Sequence, residues 1–162
     1  MKPVRSNILS ENVFQPRMTE VLSIVAESVA KTLGPFGHNA LIQTTERVIS
    51  TKDGWNVMQN IHFDSIVDNS IKSLIETVAH SVVLRVGDGS TSSTYAANRL
   101  VEELNEYMKD CASSYGFGIP SRKIEDTLIK AVDDIEVELR KNAVTINEDN
   151  MKELIRKVAL VS

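Results

Sequence analysis

Apolar residues recur at helical spacing along most of the chain. Met18, Val21, Leu22, Val25 and Val29 fall on one side of a helix, which predicts one over 16–33. "TLGPFG" then ends it, because Gly34 suits the left-handed position after a helix and Pro35 cannot continue one. "NALIQ" and "RVISTK", joined by the polar "TTE", are short and rich in branched residues, the pattern of a small hairpin. "DGWN" reads as a turn leading out of it. Helical spacing returns over 65–85, with Ile66, Ile71, Leu74, Ile75, Val78 and Val82 as the stripe. A further helix is predicted over 90–111, with Tyr95, Leu100, Val101, Leu104 and Met108 inward. "SSYGFGIPS" breaks the pattern, and Pro120 fits the first turn of the next helix. That helix would bury Ile124, Leu128, Ala131, Val132, Ile135 and Leu139. Asn147 is placed to cap a last helix through Met151, Leu154, Ile155 and Val158. The expectation is a mainly α chain with one β-hairpin, no internal repeat, and its softest boundary at 141–147.

Composition narrows the class. The 162 residues are 42% hydrophobic and 25% charged, ordinary for a globular protein with a real core. The net charge is -4, and no basic stripe is present to neutralise phosphates, which argues against a nucleic-acid surface. Cys111 has no partner for an internal disulfide, so a reducing, cytoplasmic setting is expected. "MKPVRSNILSENVF" lacks the apolar core of a signal peptide, and "SVVLRV" is too short to span a bilayer. His38, His62 and His80 lack metal-ligand spacing, and Trp55 and Cys111 read as packing residues.

The stretch richest in chemistry is "GDGSTSS" at a predicted helix start. Unpaired backbone N–H groups there carry a partial positive charge that suits an anion. Gly87 and Gly89 would let a ligand approach the backbone, and Ser90, Thr91 and Ser92 would add hydroxyls. Asp88 would repel phosphate unless a divalent cation lay between them, and Mg²⁺ is held in that way. Two readings fit the run: a phosphate–Mg²⁺ site with Asp88 as the metal ligand, and a capped helix start. Nothing in the chain matches G-x-x-x-x-G-K-[ST]. "KTLGPFG" and "TKDGWNV" also set glycine beside groups able to face phosphate, with Lys52 available for charge and Asp53 to orient a water or a cation.

In order, "TLGP", "TKDG" and "GDGSTS" resemble the group I chaperonins, the ATP-driven folding rings of bacteria and organelles. "RMTEVLSIVAESVAKTLGPFGHNALI" looks like that family's first long helix and following strand, and "GFGIPSRKIEDTLIKAVDDIEVEL" like its glycine-x-asparagine-proline helix. "VALVS" looks like the start of a segment in its intermediate domain. The resemblance implies an equatorial-domain-like helical bundle with one hairpin, with 1–141 as the N-terminal half of an equatorial, ATP-binding domain and 142–162 as the start of an intermediate domain, where the chain would be truncated. It implies that Thr32, Leu33, Gly34 and Pro35 line the phosphates and that Lys52 lies near their end. Asp53 would place the attacking water, and Asp88 would bind Mg²⁺. Gly89, Ser90, Thr91 and Ser92 would hold the phosphates through N–H and hydroxyl groups. The implied chemistry is water attack on the γ-phosphorus of ATP, promoted by positioning and charge neutralisation.

The sequence also departs from the family. Phe36 stands where a basic residue is usual, His38 at another basic or polar position, and Ala159 at a glycine; two of three threonines have become Ser90 and Ser92. The family's subunit is several times longer. An apical domain for clients and co-chaperonin, and the half supplying adenine contacts and a second acidic residue for hydrolysis, have no counterpart here. Two functions are therefore open. One is part of an ATP-driven chaperonin subunit, partnered by other subunits in a ring, with clients and co-chaperonin engaged only through further domains. The other is a shortened, chaperonin-derived interaction protein without ATPase activity.

Overall fold

The computed structural model describes residues 10–34, 36–44, 47–115 and 118–161. Among them the order is α1 (Glu11–Ala30), β1 (Ala40–Gln43), β2 (Val48–Thr51), α2 (Gly54–Gln59), α3 (Ile66–Val86), α4 (Ser90–Tyr115), α5 (Ser121–Asn142) and α6 (Met151–Val161). The chain divides into two units, 1–103 and 104–162, with the division inside α4.

The first unit is built on the stripe predicted for α1. Val21, Val25 and Val29 are buried, and Val57, Met58, Ile71 and Ala79 complete the core around them. Removing the valine, isoleucine and methionine side chains among them from water contributes about 1.5–3 kcal/mol each. The helix begins at Glu11 and runs through Pro16, upstream of its predicted start. Proline removes one ladder hydrogen bond there, and the apolar stripe that follows keeps the helix packed. After α1, Gly34 adopts φ 74°, as its place after a helix suggested. His38 N–H then donates to Lys31 O at 2.8 Å, folding the loop back on the helix end.

β1 and β2 form the expected antiparallel hairpin, with Ala40 opposite Thr51 and Gln43 opposite Val48. "DGWN" does more than turn. Asp53 is the N-cap of α2, its carboxylate accepting from Trp55 N–H at 3.0 Å. Glycine after aspartate suits a turn and a capped helix equally, and the apolar pair Val57 and Met58 decides for the helix by packing into the core.

In α3 the inward face differs from the predicted stripe. Ile71 and Ala79 are buried with Asp68 and Lys72, whereas Ile66, Leu74 and Val78 are exposed. The charges are tolerated because they are paired. Arg17 of α1 donates from Nε to Asp68 Oδ1 at 2.7 Å and from Nη2 to Oδ2. The guanidinium holds the Asp68 carboxyl below the usual carboxylate range against the opposing pull of burial, and the pair raises Arg17 in turn. Lys72 bonds Glu76 at 2.7 Å and donates to Gln59 O, at the C-terminal end of α2, at 3.3 Å.

α4 also departs from its predicted stripe. Tyr95 and Leu100 are exposed, and in its first half the buried positions are Ser90, Thr94 and Asn98. Thr94 Oγ1 donates to Ser90 O at 2.8 Å, so the helix itself satisfies that hydroxyl. Asn98 donates instead to Glu102 Oε1, and hydrophobic periodicity cannot register a polar stripe that bonds within its own helix.

In the second unit, Cys111 is buried, as its place in the sequence suggested. α5 begins after Pro120 but buries none of the residues assigned inward; Val132, Ile135 and Leu139 are exposed. Asn147 and Asn150 exchange reciprocal side-chain to backbone bonds of 2.9 Å ahead of α6, which bears out the capping role of Asn147.

Candidate functional site

The three glycine-bearing runs lie far apart in the sequence. The fold brings two of them against the third at one point. A Cβ built on Gly54 would collide with Thr91 Oγ1 and sit 3.1 Å from Thr91 Cβ and 3.3 Å from Thr32 Oγ1. The first residue of α2 is thus wedged between the loop after α1 and the first turn of α4, at a distance only glycine permits. Gly37 is a second such position, since a Cβ there would strike Thr32 O. The Gly37 backbone thus lies close against the carbonyl of a predicted phosphate-lining residue. Neither Gly37 nor Gly54 stood out in the sequence as a site residue, and a glycine's need for space shows only when its neighbours are known.

The turn before α4 has the conformation its glycines allow. Gly87 and Gly89 adopt φ 87° and 94°. Between them Asp88 is exposed, and its Oδ1 accepts from Gly89 N–H at 2.6 Å. Gly89 O accepts from Ser93 N–H, which begins the helical ladder. Asp88 therefore bonds its neighbour's amide, a local contact at the helix start that is compatible with either reading of the run. The first N–H groups of α4 have no partner earlier in their own helix.

The remaining candidates are placed as follows. Thr32 is buried, and its hydroxyl donates to Val29 O at 2.8 Å. Leu33, Gly34, Lys52 and Ser92 are exposed, Ser90 is buried, and Gly89 and Thr91 are half-buried. Asp53 is exposed and caps α2 immediately before Gly54. Pro35 lies outside the described residues. The close approach at Gly54 joins Thr32 and Thr91.

Among the described residues, no three His, Cys, Asp or Glu side chains are grouped to hold a metal. A cation at Asp88 would need its other oxygens from phosphate or water, the donor set that suits Mg²⁺. The residue types present, an exposed carboxylate at Asp88 with glycines and hydroxyls at the start of a helix, fit a Mg²⁺–polyphosphate by their chemistry.

A sequence profile of the TCP-1/cpn60 chaperonin family matches residues 25–162. The chain belongs to that family. The chaperonin GroEL of Methanospirillum hungatei is 26% identical over 145 residues, which cover 90% of this chain and 25% of that protein. This chaperonin chain thus spans about a quarter of the length of that relative. The chaperonin gp146 from bacteriophage EL 2 (Pseudomonas aeruginosa), whose crystal structure was determined in the presence of ATP-BeFx, is 28% identical. The match has a TM-score of 0.50 and covers 56% of this chain and 17% of that one. A group III chaperonin in the open state superposes with a TM-score of 0.65 over 83% of this chain and 25% of its own, at 23% identity, a likeness of fold. The helical body with its hairpin is the chaperonin equatorial type expected from the sequence. No helix among the described residues is long and apolar enough to cross a membrane.

Proposed function

We propose that this chain binds ATP with Mg²⁺ where Thr32, Gly54 and Thr91 meet, as the N-terminal equatorial part of an ATP-driven chaperonin subunit. In this reading residues 1–141 belong to the equatorial domain and 142–162 enter an intermediate domain. The observation that carries it is the missing Cβ of Gly54, which lets three sequence-distant segments approach to within a side chain's width. Asp88 would hold Mg²⁺. The amides and hydroxyls of Gly89, Ser90, Thr91 and Ser92 would hold phosphate, with Thr32, Leu33 and Gly34 lining it.

Bound Mg²⁺–ATP supplies a γ-phosphoryl group open to attack by water. The chain contributes orientation and charge. Asp53 keeps one carboxylate oxygen on Trp55 N–H and leaves the other to orient a water, while Lys52 offsets phosphate charge. A second acidic residue for hydrolysis is not assigned among these residues, so the chain by itself is expected to bind nucleotide and turn it over slowly or not at all. Other chaperonin subunits, in a ring, are the expected partners, in the cytoplasm. Unfolded clients and a co-chaperonin would need domains outside this chain.

Calorimetric titration with a non-hydrolysable ATP analogue tests this reading. Wild type should bind more tightly with Mg²⁺ than without, and Asp88→Ala should abolish the Mg²⁺-dependent gain, a loss of about tenfold or more in affinity. Equal affinity in the two proteins would contradict it. The exposed Val132, Ile135 and Leu139 of α5 favour a second reading, a chaperonin-derived module that assembles with a partner and binds no nucleotide. That module would show a molar mass above the monomer by light scattering, unchanged by ATP.

A further inference from the structure

Helix α2 has six residues, too few to stand alone, so its placement depends on what packs against it. Val57 and Met58 anchor it in the core through contacts that are apolar and non-directional. Gly54 seats its first residue between Thr32 and Thr91. One further contact is directional. The Trp55 indole stacks on the His80 imidazole of α3, with ring centroids 5.2 Å apart and planes 20° from parallel.

Two features make that stack more than packing. Trp55 N–H donates to Asp53 Oδ1, so the residue that carries the indole also orients the Asp53 carboxylate. His80 lies within about two turns of the end of α3, which runs directly into Gly87 and Asp88. The stack therefore ties the segment bearing Asp53 to the helix that leads into Asp88. His80 is exposed and Trp55 half-buried, so the contact stands outside the innermost core.

We infer that His80 is a positioning residue for the nucleotide site: its ring, stacked on Trp55, holds the start of α2, and with it Asp53, in place relative to the turn carrying Asp88. The inference rests on the nucleotide reading above. His80 touches neither phosphate nor metal in this account and acts only through Trp55.

The chain has a single tryptophan, so its fluorescence reports the stack directly. The test compares wild type, His80→Ala, His80→Phe and Asp88→Ala by Trp55 emission, by melting temperature and by titration with a non-hydrolysable ATP analogue and Mg²⁺. His80→Ala should change the emission and weaken nucleotide binding about three- to tenfold, the range set by an aromatic pair. His80→Phe keeps a stacking ring and should restore the affinity. His80→Phe should melt within about 2 °C of wild type and His80→Ala about 2–6 °C below it, the fall expected for losing one aromatic pair in a chain of this size.

Unchanged affinity in His80→Ala, with the emission showing the stack lost, would overturn the inference. So would a loss that His80→Phe fails to restore, or one matched by an equal loss of stability in both variants. Wild type that binds no Mg²⁺–nucleotide would remove the site reading and this inference together. Asp88→Ala weakened with His80→Ala unaffected would strike the inference alone.

Discussion

Gly54 shows how a single missing carbon can decide a site. A methyl group added there must displace Thr91 Oγ1, and Thr91 is β-branched, so its hydroxyl moves only by changing rotamer. Gly54→Ala is expected to lower nucleotide affinity and to cost about 1–3 kcal/mol of stability through overpacking, measured by titration and denaturant melts. Adding Thr91→Ala should recover part of that stability, because the clash is shared by the pair. Simple addition of the two single effects would contradict the close approach. In the sequence, Asp88 and the hydroxyls behind it were visible as candidates by chemistry alone. Gly54 was not, because its significance lies in residues 32 and 91, which no local pattern connects to it.

The inward face of α1 could be read from periodicity, since its buried residues are an apolar stripe, whereas its start at Glu11 and the helix at Gly54 could not. In α3 and α4 the inward faces carry polar or charged residues held by specific partners, and a hydrophobic stripe gives no warning of them. Asp68 is the clearest case, a carboxylate on an inward face made tolerable by Arg17 from another helix. Its folded-state pKa is depressed, so the stability it contributes is fully present above the ordinary carboxylate value of about 3.9. That stability is lost as pH falls through the lower, folded-state value. Asp68→Asn is therefore expected to melt below wild type at neutral pH, with the gap closing under acid conditions. A gap constant between neutral pH and about pH 3 would show that the α1–α3 ion pair is not its source. Asn98 presents the same problem in neutral form. It is buried two turns into α4, donating to Glu102 at 2.9 Å, while its Oδ1 has no partner among the described residues.

At the scale of the whole chain, the family resemblance came from the order of three short runs, and the fold explains why order carried it. The loop after α1, the start of α2 and the turn before α4 are separate in sequence, and the core of the first unit folds the two threonine-bearing segments onto Gly54. The exposed apolar residues of α5 were misassigned for the opposite reason. The periodicity identified an amphipathic helix correctly, but an apolar face is legible in sequence whether or not the chain itself covers it. The central claim is that one nucleotide's phosphates and its metal lie where these segments meet. The most direct measurement is NMR on the ¹⁵N-labelled chain with Mn²⁺ in place of Mg²⁺ and a non-hydrolysable ATP analogue. The amides of Thr32, Gly54, Gly89 and Thr91 should broaden together, only when metal and nucleotide are both present, and not in Asp88→Ala. Broadening that spares these amides, or that persists unchanged in Asp88→Ala, would contradict the account.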